Sequence, residues 1–67
     1  MYTVILSKKG FGGKKEKYNI NYNNKITDGE EILEFSSVNG AIAYTYTEEA
    51  RELAKKEDGT LEVDEIR

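Results

Sequence analysis

The sequence predicts a small α+β domain: an antiparallel or mixed β-sheet of four to six strands with one α-helix packed on one face. Three observations lead there. Stretches near both ends of the chain are β-branched or alternate apolar with polar residues, the two-residue period of half-buried strands. One stretch, after Thr47, carries apolar residues at helical spacing. And 67 residues with neither cysteine nor proline suffice for a single domain whose stability must come from a small core and good turns.

Tyr2-Thr3-Val4-Ile5-Leu6-Ser7 opens the chain as a strand, with Tyr2, Val4 and Leu6 in phase. Gly10, Gly12 and Gly13 then interrupt regular structure and predict a loop carrying Phe11 and flanked by Lys8, Lys9, Lys14 and Lys15. Tyr18, Ile20 and Tyr22 alternate with Lys17, Asn19 and Asn21, a second strand with its tyrosines on the core side. Asn23-Asn24 and Asp28-Gly29 are turn signals, with a short strand expected around them. Asn39-Gly40 predicts a two-residue hairpin turn. Centred there, a ribbon over residues 31–46 gathers Leu33, Phe35, Ile42, Tyr44 and Tyr46 on one side, facing the core. Thr47 caps a helix whose first turn holds Glu48 and Glu49, whose inner stripe is Ala50, Leu53 and Ala54, and whose last turn holds Lys55 and Lys56. Gly59 is the expected left-handed stop, and Thr60-Leu61-Glu62-Val63-Asp64 the closing strand, with Ile66 docking at its end.

Charge is segregated along the chain. Residues 1–25 hold six lysines and one acid, residues 26–67 twelve acids and four bases, and the net charge is −3. The chain has no histidine, so Ser7, Ser36 and Ser37 lack the usual activating base, and the usual zinc ligands are missing. The carboxylate pairs Glu30-Glu31, Glu48-Glu49 and Asp64-Glu65 are adjacent in sequence and do not face each other across a cleft. No cofactor and no catalytic residue is expected. No apolar run is long enough to span a membrane and no signal-peptide pattern stands at the N-terminus, so a cytoplasmic location is expected. The glycine loop is neither a P-loop nor a dinucleotide loop. Its Lys-Gly-Phe-Gly start matches half of an RNA-recognition octapeptide, but Gly13, Lys14 and Glu16 replace the stacking and aliphatic residues that follow.

Two binding chemistries remain. Glu30, Glu31 and Glu34 offer carboxylates to a cationic protein surface, with Phe11 as an apolar anchor. Lys8, Lys9, Phe11, Lys14, Lys15 and Lys17 offer the alternative, phosphate contacts and a stacking ring for a nucleic acid. The stretch from Ala41-Ile42-Ala43-Tyr44-Thr45-Tyr46-Thr47-Glu48-Glu49-Ala50 to Leu61-Glu62-Val63 resembles the strand–helix–strand units of small phage and prophage proteins of low-GC Gram-positive bacteria. Anti-CRISPR and other host-takeover proteins of that population are similar in size, acidity and lack of cysteine. The resemblance covers about the last 27 residues. It implies a non-catalytic inhibitor, monomeric or a small homo-oligomer, acting on a host nucleic-acid-binding effector or nuclease in the bacterial cytoplasm.

Overall fold

The central element is β1 (Tyr2–Lys9), a strand paired along both edges. After it come a 3₁₀ turn (Phe11–Gly13), β2 (Lys15–Ile20), β3 (Ile26–Thr27), β4 (Glu34–Phe35), α1 (Val38–Thr45), α2 (Glu48–Lys56) and β5 (Gly59–Glu65). The computed structural model describes residues 1–29 and 31–66, and at Phe11 the backbone alone. Every strand pairing among the described residues is antiparallel. β5 follows one edge of β1 from Tyr2↔Glu65 to Lys8↔Gly59. The other edge is shared: β2 takes Ile5 to Lys9, β4 takes Tyr2 and Thr3, and β3 lies outside β2. The α+β class with an antiparallel sheet is therefore as the sequence predicts, but the helical layer consists of two helices in place of one.

Alternation along β1 divides its side chains between two faces. Tyr2, Val4 and Leu6 point toward the helices. There Val4, Ile20 and Ala41 form a fully buried cluster, with Tyr2, Phe35, Tyr44, Leu53, Leu61 and Val63 packed around it. Thr3, Ile5 and Ser7 point the other way and are also buried. Their cross-strand neighbours on that side are Glu34, Asn19 and Lys17 along one edge, and Asp64, Glu62 and Thr60 along the other. Residues of both helices pack on the Val4 side, so this second face is called the uncovered one.

The hairpin expected at Asn39-Gly40 is replaced by α1. Ser37 is its N-cap, the hydroxyl accepting from the Gly40 amide at 3.1 Å. Neither Asn39 nor Gly40 has positive φ, which the hairpin turn required. Alternation and helical period competed over this segment, and the capping serine and the alanines at 41 and 43 favour the helix. The helical period turns Ala41 and Tyr44 to the core and leaves Val38, Ile42 and Tyr46 exposed, so Ile42 and Tyr46 are not core residues. Phe35 and Tyr44 still meet, ring centroids 5.5 Å apart, across the strand-to-helix junction.

α2 follows after two residues and is built as its sequence predicts. The Thr47 hydroxyl accepts from the Ala50 amide at 3.3 Å, with Glu48 and Glu49 in the first turn and Lys55 and Lys56 in the last. At its end the left-handed residue is Asp58, at φ 53°, and not Gly59. Gly59 is required by proximity: a Cβ there would sit 2.8 Å from Leu6 Cδ1 and 2.9 Å from the Ser7 carbonyl oxygen. The β2–β3 turn is organised by buried Asn21, whose Oδ1 accepts from the amides of Asn23 and Lys25, both at 3.0 Å. Asn24, left-handed at φ 58°, accepts from the Tyr44 hydroxyl and donates to Glu49 at 2.7 Å. That chain fastens the turn to both helices.

Candidate functional site

The register converts the charge segregation of the sequence into segregation in space. On the face of the sheet opposite the helices, Lys9 pairs directly with Lys15, and Lys17 stands opposite Ser7. Glu34 and Asp64 flank Thr3 at the far end of the same face. Thr3 and Lys9 are six residues apart along β1, roughly 20 Å at strand rise. Between the two ends, Lys17 and Glu62 form a loose ion pair at 3.9 Å across β1.

At the acidic end, Tyr22, Asn23, Glu31, Ile32 and Glu34 line a shallow cleft of about 450 Å³. Tyr22 is 70% exposed and lies beyond the end of β2, in the Asn21–Lys25 turn. The expectation that it shares the core with Ile20 is thus corrected: alternation stops where Asn21 bends the chain. Glu31 is held in place by its carbonyl, which accepts from the Thr27 hydroxyl at 2.8 Å, and by its carboxylate, 3.4 Å from Asn21 Nδ2. An exposed phenol beside an aliphatic side chain, rimmed by two carboxylates, has the composition of a protein-binding anchor.

At the basic end, Ser7, Lys8, Lys9, Gly13, Lys15, Asp58 and Thr60 line a second depression of about 360 Å³. The lysines singled out in the sequence separate here. Lys9, Lys15 and Lys17 share the uncovered face. Lys8 points to the helical side, where its ammonium meets Glu57 at 3.1 Å and lies 5.8 Å from the centre of the Tyr18 ring. Lys14 is an exposed residue of the turn, its carbonyl accepting from the Gly10 amide. Phe11 belongs by its backbone to this end of the sheet, so the anchor and the carboxylates proposed to act with it stand at opposite ends of β1. The Phe11 side chain and Glu30 lie outside the described residues.

Two phenols titrate above the usual tyrosine value of 10.0. Tyr18 is raised by its hydrogen bond to Glu16 and Tyr44 by burial, with the Glu49 charge adding to it. Both are therefore neutral hydrogen-bond donors at physiological pH. Ser7 is the residue of the basic end that sequence reasoning weighed only as an unassisted nucleophile. Tyr22 and Ile32 were absent from the expected site. The signal for Tyr22 is its setting, Asn21-Tyr22-Asn23-Asn24, an aromatic inside a run of turn formers.

Among the described residues, no helix is long and apolar enough to cross a membrane. No protein-family model, no curated protein and no solved structure matches the chain. The fold and the two charged ends of its uncovered face are accordingly the basis for a functional reading.

Proposed function

We propose that this chain is a non-catalytic protein-interaction module: an inhibitor carried by a phage or mobile element that occludes a nucleic-acid-binding protein or nuclease of its bacterial host, as anti-CRISPR proteins do. The observation that carries this reading is the acidic cleft, whose lining combines exposed Tyr22 and half-buried Ile32 with Glu31 and Glu34. A groove that binds nucleic acid is cationic, and carboxylates in an acidic cleft are drawn to it by the same field that draws phosphates. Tyrosine supplies a large contact area with few rotatable bonds, which gives such an encounter a short-range anchor.

The test is affinity capture from bacterial lysate with the intact chain, compared with Tyr22→Ala and with Glu31→Lys/Glu34→Lys. Support requires a captured protein with nucleic-acid-binding or nuclease activity. Its retention must fall steeply between low and moderate salt and be lost in both variants. Capture that is insensitive to salt and unchanged by charge reversal would overturn the reading.

A further inference from the structure

The basic end of the uncovered face carries a feature that the protein-binding reading does not use. Ser7 is 4% exposed, and its hydroxyl has no hydrogen-bond partner among the described residues. A buried hydroxyl without a partner is unfavourable, and a fold without use for it would be better served by alanine. Ser7 lines the depression together with Lys8, whose ammonium is paired with Glu57 on the helical side, and with Lys9, Lys15, Gly13, Thr60 and Asp58. Register places four of these side chains on one face, Lys9 opposite Lys15 and Ser7 opposite Thr60, with Lys17 on the other edge of Ser7. Gly13 has positive φ, and among the described residues nothing lies within 4 Å of where its Cβ would be.

We infer that this depression is a binding site for a phosphate group, held between the ammonium groups of Lys9 and Lys15 with the Ser7 hydroxyl as the neutral donor beneath them. The chemistry fits on three counts. Two exposed lysines on paired residues present rotatable point charges, the usual complement of a tetrahedral oxyanion. A hydroxyl can donate to a phosphate oxygen, which would satisfy the orphaned group. Asp58 is the one carboxylate among the lining residues; it opposes anion binding and sets a limit on affinity that can be removed by substitution. The site is independent of the Tyr22 cleft. Its ligand is either a free phosphate or phosphomonoester, or a phosphodiester of a single-stranded nucleic acid.

The experiment is an amide-resolved NMR titration of the whole chain at constant ionic strength, with inorganic phosphate in one arm and a ten-nucleotide oligothymidylate in the other. Saturable shifts are expected at Ser7, Lys9, Gly13, Lys15 and Thr60. Ser7→Ala should weaken phosphate binding by about tenfold, the usual range for one hydrogen bond to a charged group. Lys9→Gln/Lys15→Gln should abolish it, and Asp58→Asn should tighten it severalfold. Thr3→Val is the control. Thr3 is the other buried, unpartnered hydroxyl of this face, at its acidic end, and its replacement should leave phosphate binding unchanged. Tighter binding of the oligonucleotide than of phosphate, lost in Ser7→Ala, assigns the site to a phosphodiester. Equal or tighter binding of inorganic phosphate assigns it to a free phosphate. Absence of saturable shifts in both arms, or a Ser7→Ala protein that folds and binds as tightly as the parent, would overturn the inference.

Discussion

The two faces of β1 are equally hidden from water and are built for different ends. On the helical side Val4 and Leu6 are fully buried among apolar neighbours from both helices, β2 and β5. On the other side Thr3, Ile5 and Ser7 are as deep, but two of the three bury a hydroxyl with no partner among the described residues. One face thus gains stability from burial, while the other gives some up. Unsatisfied polar groups persist where a second requirement, such as a ligand, outweighs their cost. The uncovered face is also where opposite charges are sorted to opposite ends, and both proposed binding sites involve it.

The largest test of this contrast is truncation on each side. Leu6→Ala should cost about 3 kcal/mol, the range for a large-to-small change in a well-packed core. Ile5→Ala should cost clearly less, because no helix packs over it. Urea unfolding of the two variants measures both, and equal losses would mean that the faces are equivalent. Gly59→Ala comes next, at roughly 2 kcal/mol: the added carbon would press on both Leu6 and the Ser7 carbonyl, and the same unfolding assay reads it. Ser37→Ala removes the cap that establishes α1 and should cost about 1 kcal/mol with a loss of helical circular dichroism. A hairpin over residues 31–46 would show no such helical loss.

A smaller effect lies in the alkaline limb of stability. The Tyr44 phenol is raised above 10.0 by burial and by Glu49. The unfolded chain therefore loses this proton first. The stabilisation from keeping the phenol neutral is complete below pH about 10 and is lost as pH rises through the folded value. Melting temperatures between pH 9 and 11 should fall, and Tyr44→Phe should make that fall shallower.

How much of this was legible in the residues depends on how many signals agreed at each place. At Thr47 the capping hydroxyl, the acidic first turn, the apolar stripe and the basic last turn all point to α2, and α2 forms there. β1, β2 and β5 were legible because alternation had no competitor. At residues 37–46 two periods fitted the same letters. Asn39-Gly40 favoured a turn, Ser37 with two alanines favoured a helix, and tertiary packing of Ala41 and Tyr44 on Val4 and Ile20 decided. Gly59 was read as the left-handed stop, a conformation that Asp58 takes instead, because both asparagine-like residues and glycine adopt it and only the sheet register shows that Gly59 is crowded. The candidate lysines and carboxylates were legible as charges, but their division between faces was not. It depends on the Lys9↔Lys15 and Thr3↔Glu34 registers, which a glycine-rich loop and a long excursion leave unspecified.

The central claim is that the basic end of the uncovered face keeps the buried Ser7 hydroxyl for a reason other than stability. Thermal melting of the Ser7→Ala variant in phosphate-free buffer tests this directly. The expected result is a melting temperature several degrees above the parent, since about 1 kcal/mol shifts a domain of this size by 4–8 °C. A lower melting temperature would show that the Ser7 hydroxyl helps hold the fold together, and would contradict this claim.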